Sequence, residues 1–267
     1  MADIAALVDD LRTEQRDLGT LLAALGPADW ARPTPAPGWS VAHQLAHLAY
    51  FDRTATTALN DPAAFAPIAE AAAADPEGFG QRVLLPYLDL SPSGLLATWQ
   101  ESAAGLADAL LAAPAGTRVP WFGPPMSVAS KASARIMETW AHGQDVYDTA
   151  GLSRPATPRL RHIARLALRA RPYSYLVRGR PAPTTAVQLK LTGAGGQTWI
   201  FADPAGSDVA TVEGDAMEFC LVMTRRRHRD DTSLVASGEA ADEWLTIGQA
   251  YAGPPGPGRP PSKFPAR

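Results

Sequence analysis

Cysteine is almost absent: the 267-residue chain holds one, Cys220. A single thiol excludes an internal disulfide and fits a reducing cytosol. Its setting, Met217-Glu218-Phe219-Cys220-Leu221-Val222, is apolar, so it reads as core rather than as a nucleophile, which needs electropositive and accessible surroundings. An excess of one charge is missing too. The 24 basic and 27 acidic residues leave a net charge of -3, so neither nucleic acid nor an anionic membrane is expected as a partner. No apolar run approaches the roughly 20 residues of a membrane span. The start, Met1-Ala2-Asp3-Ile4, has no basic stretch ahead of an apolar one, so no secretory leader is expected and the expected location is cytoplasmic. Histidine is scarce, five residues in all. No internal repeat recurs at solenoid periods.

What is present is ordinary for a globular protein: 46% apolar and 19% charged residues, in a length that suits one large or two medium domains. Ile4, Leu7, Val8, Leu11, Leu18, Leu21, Leu22 and Leu25 follow the helical period, and Gly26-Pro27 stops them. Three prolines make residues 33–38 a loop. Ser40 is placed to cap a helix running to about Asn60, and Asp61-Pro62 opens a short Ala-rich one. Ser91-Pro92 opens the next, with proline at its first position. Residues 114–125 read as a loop. Ser127 caps a helix through about Ala150, ended by Gly151, and Thr157-Pro158 opens one more to about Ala170. Pro172 to Pro183 reads as a linker. Period-two runs then predict strands at 187–191, 198–201 and 209–212, with a short edge strand near Val235. Helices are expected from Ala216 to about Arg226 and from Ala240 to about Tyr251. The expected fold is α+β: a helical bundle over 1–172, a smaller α+β domain over 184–252, and a Pro/Gly-rich, poorly ordered tail over 253–267.

Three of the five histidines fall in two helix-like runs. Glu138 and His142 are four residues apart in Arg135-Ile136-Met137-Glu138-Thr139-Trp140-Ala141-His142, so a carboxylate and an imidazole share one helix face. The run Trp39-Ser40-Val41-Ala42-His43-Gln44-Leu45-Ala46-His47-Leu48 supplies the others. His47, among Leu45, Leu48 and Phe51, can complete a two-nitrogen, one-carboxylate set of the kind that leaves a divalent metal an open position. The plainer reading makes His47 a core histidine and Glu138–His142 a simple pair. His43 is a rival ligand, and a four-ligand site containing it would be closed and structural. Asp145 shares the face of Glu138 and His142, either as an orienting group or base beside the metal or as a polar helix-end residue. Arg135 reads as solvated, with pairing to Glu138 or to an anionic substrate as alternatives. The run Arg225-Arg226-Arg227-His228-Arg229 reads first as a helix C-terminus.

Pro37-Gly38-Trp39-Ser40-Val41 with Ala46-His47-Leu48 resembles the second-helix signature of the DinB/YfiT-like superfamily. The stretch Trp121-Phe122-Gly123-Pro124-Pro125-Met126-Ser127, leading into Met137-Glu138-Thr139-Trp140-Ala141-His142-Gly143-Gln144-Asp145, fits the same superfamily. The whole chain is similar to its actinobacterial branch of mycothiol-dependent maleylpyruvate isomerases and the metal-binding proteins related to them. The resemblance implies an N-terminal DinB-like four-helix bundle with a smaller C-terminal α+β domain. It implies His47, Glu138 and His142 as metal ligands, usually for zinc, with His43 outside the ligand set. It also implies mycothiol as co-substrate, and one of Arg225, Arg226 or Arg227 as the group that holds a substrate carboxylate. The expected function is then a metal-dependent isomerase or thiol transferase acting on a small electrophile, as a monomer or homodimer. A metal-dependent hydrolase and a non-catalytic sequestration or sensing protein are the alternatives, since one fold hosts several chemistries.

Overall fold

Four long amphipathic segments become four long helices in the computed structural model, which describes residues 3–202, 209–256 and 258–261. The chain divides into two compact units, Met1–Arg154 and Pro155–Arg267. In the first, α1 (Ile4–Ala23) is capped by the Asp3 carboxylate, which accepts from the Ala6 amide. A 3-10 turn over Pro27–Ala31 leads to α2 (Val41–Asn60). α3 (Pro62–Ala74) starts on Asp61, and two single-turn helices that the sequence did not announce follow, α4 (Phe79–Arg82) and α5 (Leu85–Leu88). α6 (Pro92–Ala112) is capped by Ser91 with Pro92 in its first turn.

The expected loop at 114–125 contains one strand of a small hairpin, β1 (Arg118–Val119), paired antiparallel with β2 (Met126–Ser127). Ser127 also caps α7 (Val128–Ala150), and Gly151, at φ 71, closes that helix in the left-handed conformation that glycine adopts without penalty.

The helices α1, α2, α6 and α7 form a bundle in which α1 and α2 each pack against both α6 and α7. α1 therefore stands diagonally from α2, and α6 from α7. One core cluster joins Leu18, Leu22, Leu45, Leu48, Trp99 and Val146. A second joins Leu7, Leu11, Leu106, Leu110 and Ile136. Between them lies a buried ion pair. Arg135 Nε donates to Asp52 at 2.8 Å, and Trp99 Nε1 donates to the same carboxylate at 3.1 Å. This corrects the sequence reading of Arg135: it is 2% exposed and bound to Asp52, not solvated. Position 52 carries no signal of that pairing until α2 and α7 are set side by side.

In the second unit, α8 (Leu160–Arg169) and α9 (Arg171–Leu176) precede the sheet. α9 occupies the first half of the expected linker at 172–183, because Pro172 sits in its first turn, where a missing N–H costs nothing. The structural division falls at 154/155, ahead of that proline-rich stretch, because α8 packs on α10 (Ala216–Met223) and the sheet. The strands β3 (Ala186–Thr192), β4 (Thr198–Ala202), β5 (Val209–Asp215) and β6 (Val235–Ser237) lie in the order β4-β3-β5-β6. β3 and β5 are parallel, with Leu189 opposite Val212, and β6 is the expected edge strand. α11 (Glu239–Ile247) stops at Gly248, short of Tyr251. Cys220 is fully buried, its thiol against the Leu160 carbonyl, and burial pushes its pKa well up. Of the tail 253–267, residues 257 and 262–267 lie outside the described residues. The rest is tied down in part: Gln249 Nε2 donates to the Gly253 carbonyl at 3.0 Å and Arg259 Nη1 to the Arg226 carbonyl at 2.8 Å. Among the described residues no helix is long and apolar enough to cross a membrane.

Candidate metal centre

The second and third turns of α2 face the middle of α7, and this brings His47 to Glu138 and His142. One carboxylate oxygen, Glu138 Oε2, stands 3.4 Å from His47 Nε2 and 3.2 Å from His142 Nε2. Ligand atoms about 2.1 Å from a shared ion, at octahedral to tetrahedral angles, are about 3.0 to 3.4 Å apart, so the donor set has the spacing a divalent metal requires. The three ligand atoms all lie within 4.8 Å of one another, the only such His/Cys/Asp/Glu group among the described residues. The side chains keep 19%, 22% and 11% of their surface for His47, Glu138 and His142. The three side chains are thus partly exposed rather than sealed in the core.

Burial alone would raise the Glu138 carboxyl, but hydrogen bonds and charge from His142 and His47 hold it well below the usual range. It is an anion ready to act as a ligand. His142 is oriented from behind. Its Nδ1 meets Gln44 Oε1 at 2.6 Å, and since an amide oxygen only accepts, Nδ1 carries a proton and Nε2 is the nitrogen turned to the cluster, where it would serve as a ligand once its own proton is released. Gln44 is held in turn: its Nε2 donates to Thr34 Oγ1 at 2.8 Å, and Thr34 Oγ1 donates to the Trp39 carbonyl at 2.9 Å. Gln44 and Thr34 escaped the sequence reading. The only signal was Gln44 one turn of helix before Leu48 and between two histidines.

The proline loop has a positioning role. Its turn passes through Gly38 at φ 77, and the Trp39 amide donates to the Ala36 carbonyl at 3.0 Å. Trp39 is thereby laid over the site, its ring stacked on His142 at 5.8 Å and tilted to His47 at 5.5 Å. Phe51, 4.5 Å from the His47 ring, walls the other side. His43 is outside the cluster. Its Nδ1 lies 2.8 Å from Ser40 Oγ and accepts the Ser40 amide at 3.2 Å, so it serves the start of its own helix.

Asp145 is buried one turn beyond His142, and its carbonyl accepts from Thr149 Oγ1. Arg225, Arg226 and Arg227 belong to the second unit. There Arg225 Nη1 donates to the Thr246 carbonyl, Arg226 Nη1 to that of Thr224 and Arg227 Nη1 to that of Arg226.

A family model described as the mycothiol maleylpyruvate isomerase N-terminal domain matches residues 11–147. An uncharacterized protein of Mycobacterium tuberculosis, found in two strains, is 49% identical over 261 residues, which cover 97% of this chain and 100% of the relative. Two solved structures, mycothiol-dependent maleylpyruvate isomerase and a His-to-Ala mutant of it, match with TM-scores of 0.58 and 0.59. Both are 15% identical and cover 88% of this chain and 93% of theirs. At that identity they show a shared fold.

Proposed function

The chain belongs to the mycothiol maleylpyruvate isomerase N-terminal domain family, and from that premise we propose that it is a divalent-metal enzyme of small-molecule metabolism. His47, Glu138 and His142 are the metal ligands, zinc is the metal, and a small thiol of the mycothiol class is the co-substrate. The observation that carries this reading is the cluster itself: three ligand atoms within 4.8 Å of one another, on partly exposed side chains. A metal held there would supply Lewis acidity and lower the pKa of a thiol or water.

The chain's own residues do the rest. Gln44 orients the His142 ring, and Trp39 and Phe51 frame the ligands with aromatic rings. Asp145 is proposed as an orienting group on the same helix face, and one of Arg225, Arg226 and Arg227 as the cation for a substrate carboxylate. No thiol of the protein competes, since Cys220 is buried and protonated. In an isomerase cycle the external sulfur adds to a conjugated C=C bond, the resulting single bond turns, and expulsion of the thiolate restores the double bond in the other geometry. In a transferase the thioether is the product. The engagement of His43 with Ser40 supports an open site over a closed four-ligand one.

Metal analysis of the purified protein and of a His47→Ala variant is the test, followed by turnover of maleylpyruvate with mycothiol. About one metal ion per chain, lost in the variant, is expected. Unchanged metal content in His47→Ala sinks the ligand assignment. Full metal without thiol-dependent turnover sinks the isomerase reading alone.

A further inference from the structure

The chain uses arginine for nearly all its cations and has three lysines, Lys131, Lys190 and Lys263. Lys190 is half-exposed and paired with Glu213 at 2.8 Å. Lys131 is the opposite: it is 1% exposed, and its Nζ has no hydrogen-bond partner. The amine lies 3.1 Å from the centre of the Trp121 ring. Trp121 comes from the hairpin between β1 and β2, stacks on Phe65 at 5.8 Å, and stands 6.2 Å from Phe51, the ring beside His47. One turn along α7, Arg135 Nη2 is a second buried donor without a partner. Lys131 is two turns from Glu138, about 10 Å along the axis. Nothing in the metal reading uses either orphaned donor.

We propose that Lys131 is a nucleophilic amine and, with Arg135 Nη2, forms a second reactive site beside the metal cluster, for a small carbonyl compound bearing a neighbouring carboxylate. Arginine stays charged in any protein setting, whereas lysine can be buried as the free amine. Burial first, and the like charge of Arg135 second, lower the Lys131 pKa to about 6 against the opposing pull of Glu138. Asp52 is already committed to Arg135 and Trp99. A charged ammonium over an indole would gain cation–π attraction, but here it would forfeit its hydration and face the guanidinium, so the amine rests against the ring uncharged.

Desolvation next to another cation is the setting that makes a lysine nucleophilic. The Nζ lone pair attacks the carbonyl carbon and a C–N bond forms. Both amine hydrogens leave with the carbonyl oxygen as water, and a C=N bond remains. No oxidant or reductant enters. The free Nη2 donor of Arg135 accounts for the carboxylate, which a simple ketone lacks.

The proposal stands apart from the metal reading and is tested apart from it. Full-length protein is incubated at pH 7 with pyruvate and cyanoborohydride, which delivers hydride to any C=N bond, and the adducts are mapped by peptide mass spectrometry. The expected result is an adduct on Lys131 formed about tenfold or more faster than on Lys190, because a desolvated amine beside another cation is the more nucleophilic one. Acetone, which lacks the carboxylate, should label Lys131 more slowly than pyruvate. A Lys131→Met variant should lose the adduct and keep its metal content and far-UV circular dichroism spectrum. Labelling of Lys190 without Lys131, an adduct that survives in Lys131→Met, or equal rates with acetone overturns the proposal. An adduct on Lys131 in metal-free His47→Ala protein supports it even where the metal reading fails.

Discussion

At Gln44 one amide decides which nitrogen of His142 faces the cluster. Groups that orient a metal-bound imidazole are typically worth 10–100-fold in affinity, so Gln44→Ala should weaken metal binding by about that factor, read by competition with a chelator, while far-UV circular dichroism stays unchanged. Wild-type affinity in that variant would show that Gln44 is packing and no more. Lys131 makes a prediction of the other sign. Its folded pKa of about 6 lies below the ordinary lysine value of 10.5, so between those values the unfolded chain binds a proton that the folded chain has released. Stability therefore rises with pH across that window. Lys131→Met removes both the penalty and the slope. The variant should be more stable at pH 7 by several kcal/mol, on the order of 5, with the gain shrinking towards pH 10. Urea unfolding at pH 7 and pH 9.5 measures it, and a gain equal at both pH values would contradict the buried neutral amine.

Among the elements, α7 carries the most. It presents Lys131, Arg135, Glu138 and His142 at intervals of three or four residues, so a shift of its axis moves every one of them. Its ends are set locally. Ser127 Oγ accepts the Ser130 amide at 3.2 Å, and Gly151 takes φ 71. Ser127→Ala and Gly151→Ala should each cost about 1 kcal/mol, the usual range for an N-cap and for a non-glycine residue in the left-handed region, visible as a lower urea midpoint with an unchanged slope. α2 and α7 are tied in register by Asp52 and Arg135. Arg135→Met alone leaves a buried carboxylate unpaired and should cost roughly 3–5 kcal/mol, whereas Asp52→Leu with Arg135→Met should recover most of it. A double variant as unstable as the single would mean that the pair is not the source of the cost.

On the scale of the molecule, every residue of the candidate metal centre, its aromatic frame and the proposed Lys131 site lies in the first unit, residues 1–154. That unit ends on an internal clasp. Arg154 pairs with the buried Glu14 near the start of the chain, and its guanidinium lies over the Trp140 and Tyr147 rings at 5.0 and 5.1 Å. Residues 1–154 expressed alone should therefore melt cooperatively and bind metal in the same ratio as the full chain, by calorimetry and metal analysis. A fragment that folds without binding metal would show that the second unit contributes to the centre.

Much of this was legible from local patterning. The Ser40, Ser91 and Ser127 caps, the Gly151 stop and the apolar periods marked the four bundle helices, and i, i+4 spacing put Glu138 and His142 on one face, because caps and periodicities act over a few neighbouring residues. Where prolines point to breaks, position within the element matters more: Pro172 has the look of a linker residue and sits inside the first turn of α9. Only the tertiary structure decided which residues meet across the bundle. It set Asp52 on Arg135, which the sequence reading left solvated, Gln44 behind His142, His43 on Ser40 rather than in the cluster, and Lys131 under Trp121. Those pairings depend on which face of α2 is laid against α7 and on where the 118–127 hairpin folds back. That choice is made by the burial of whole helix faces, and no single segment of the chain encodes it.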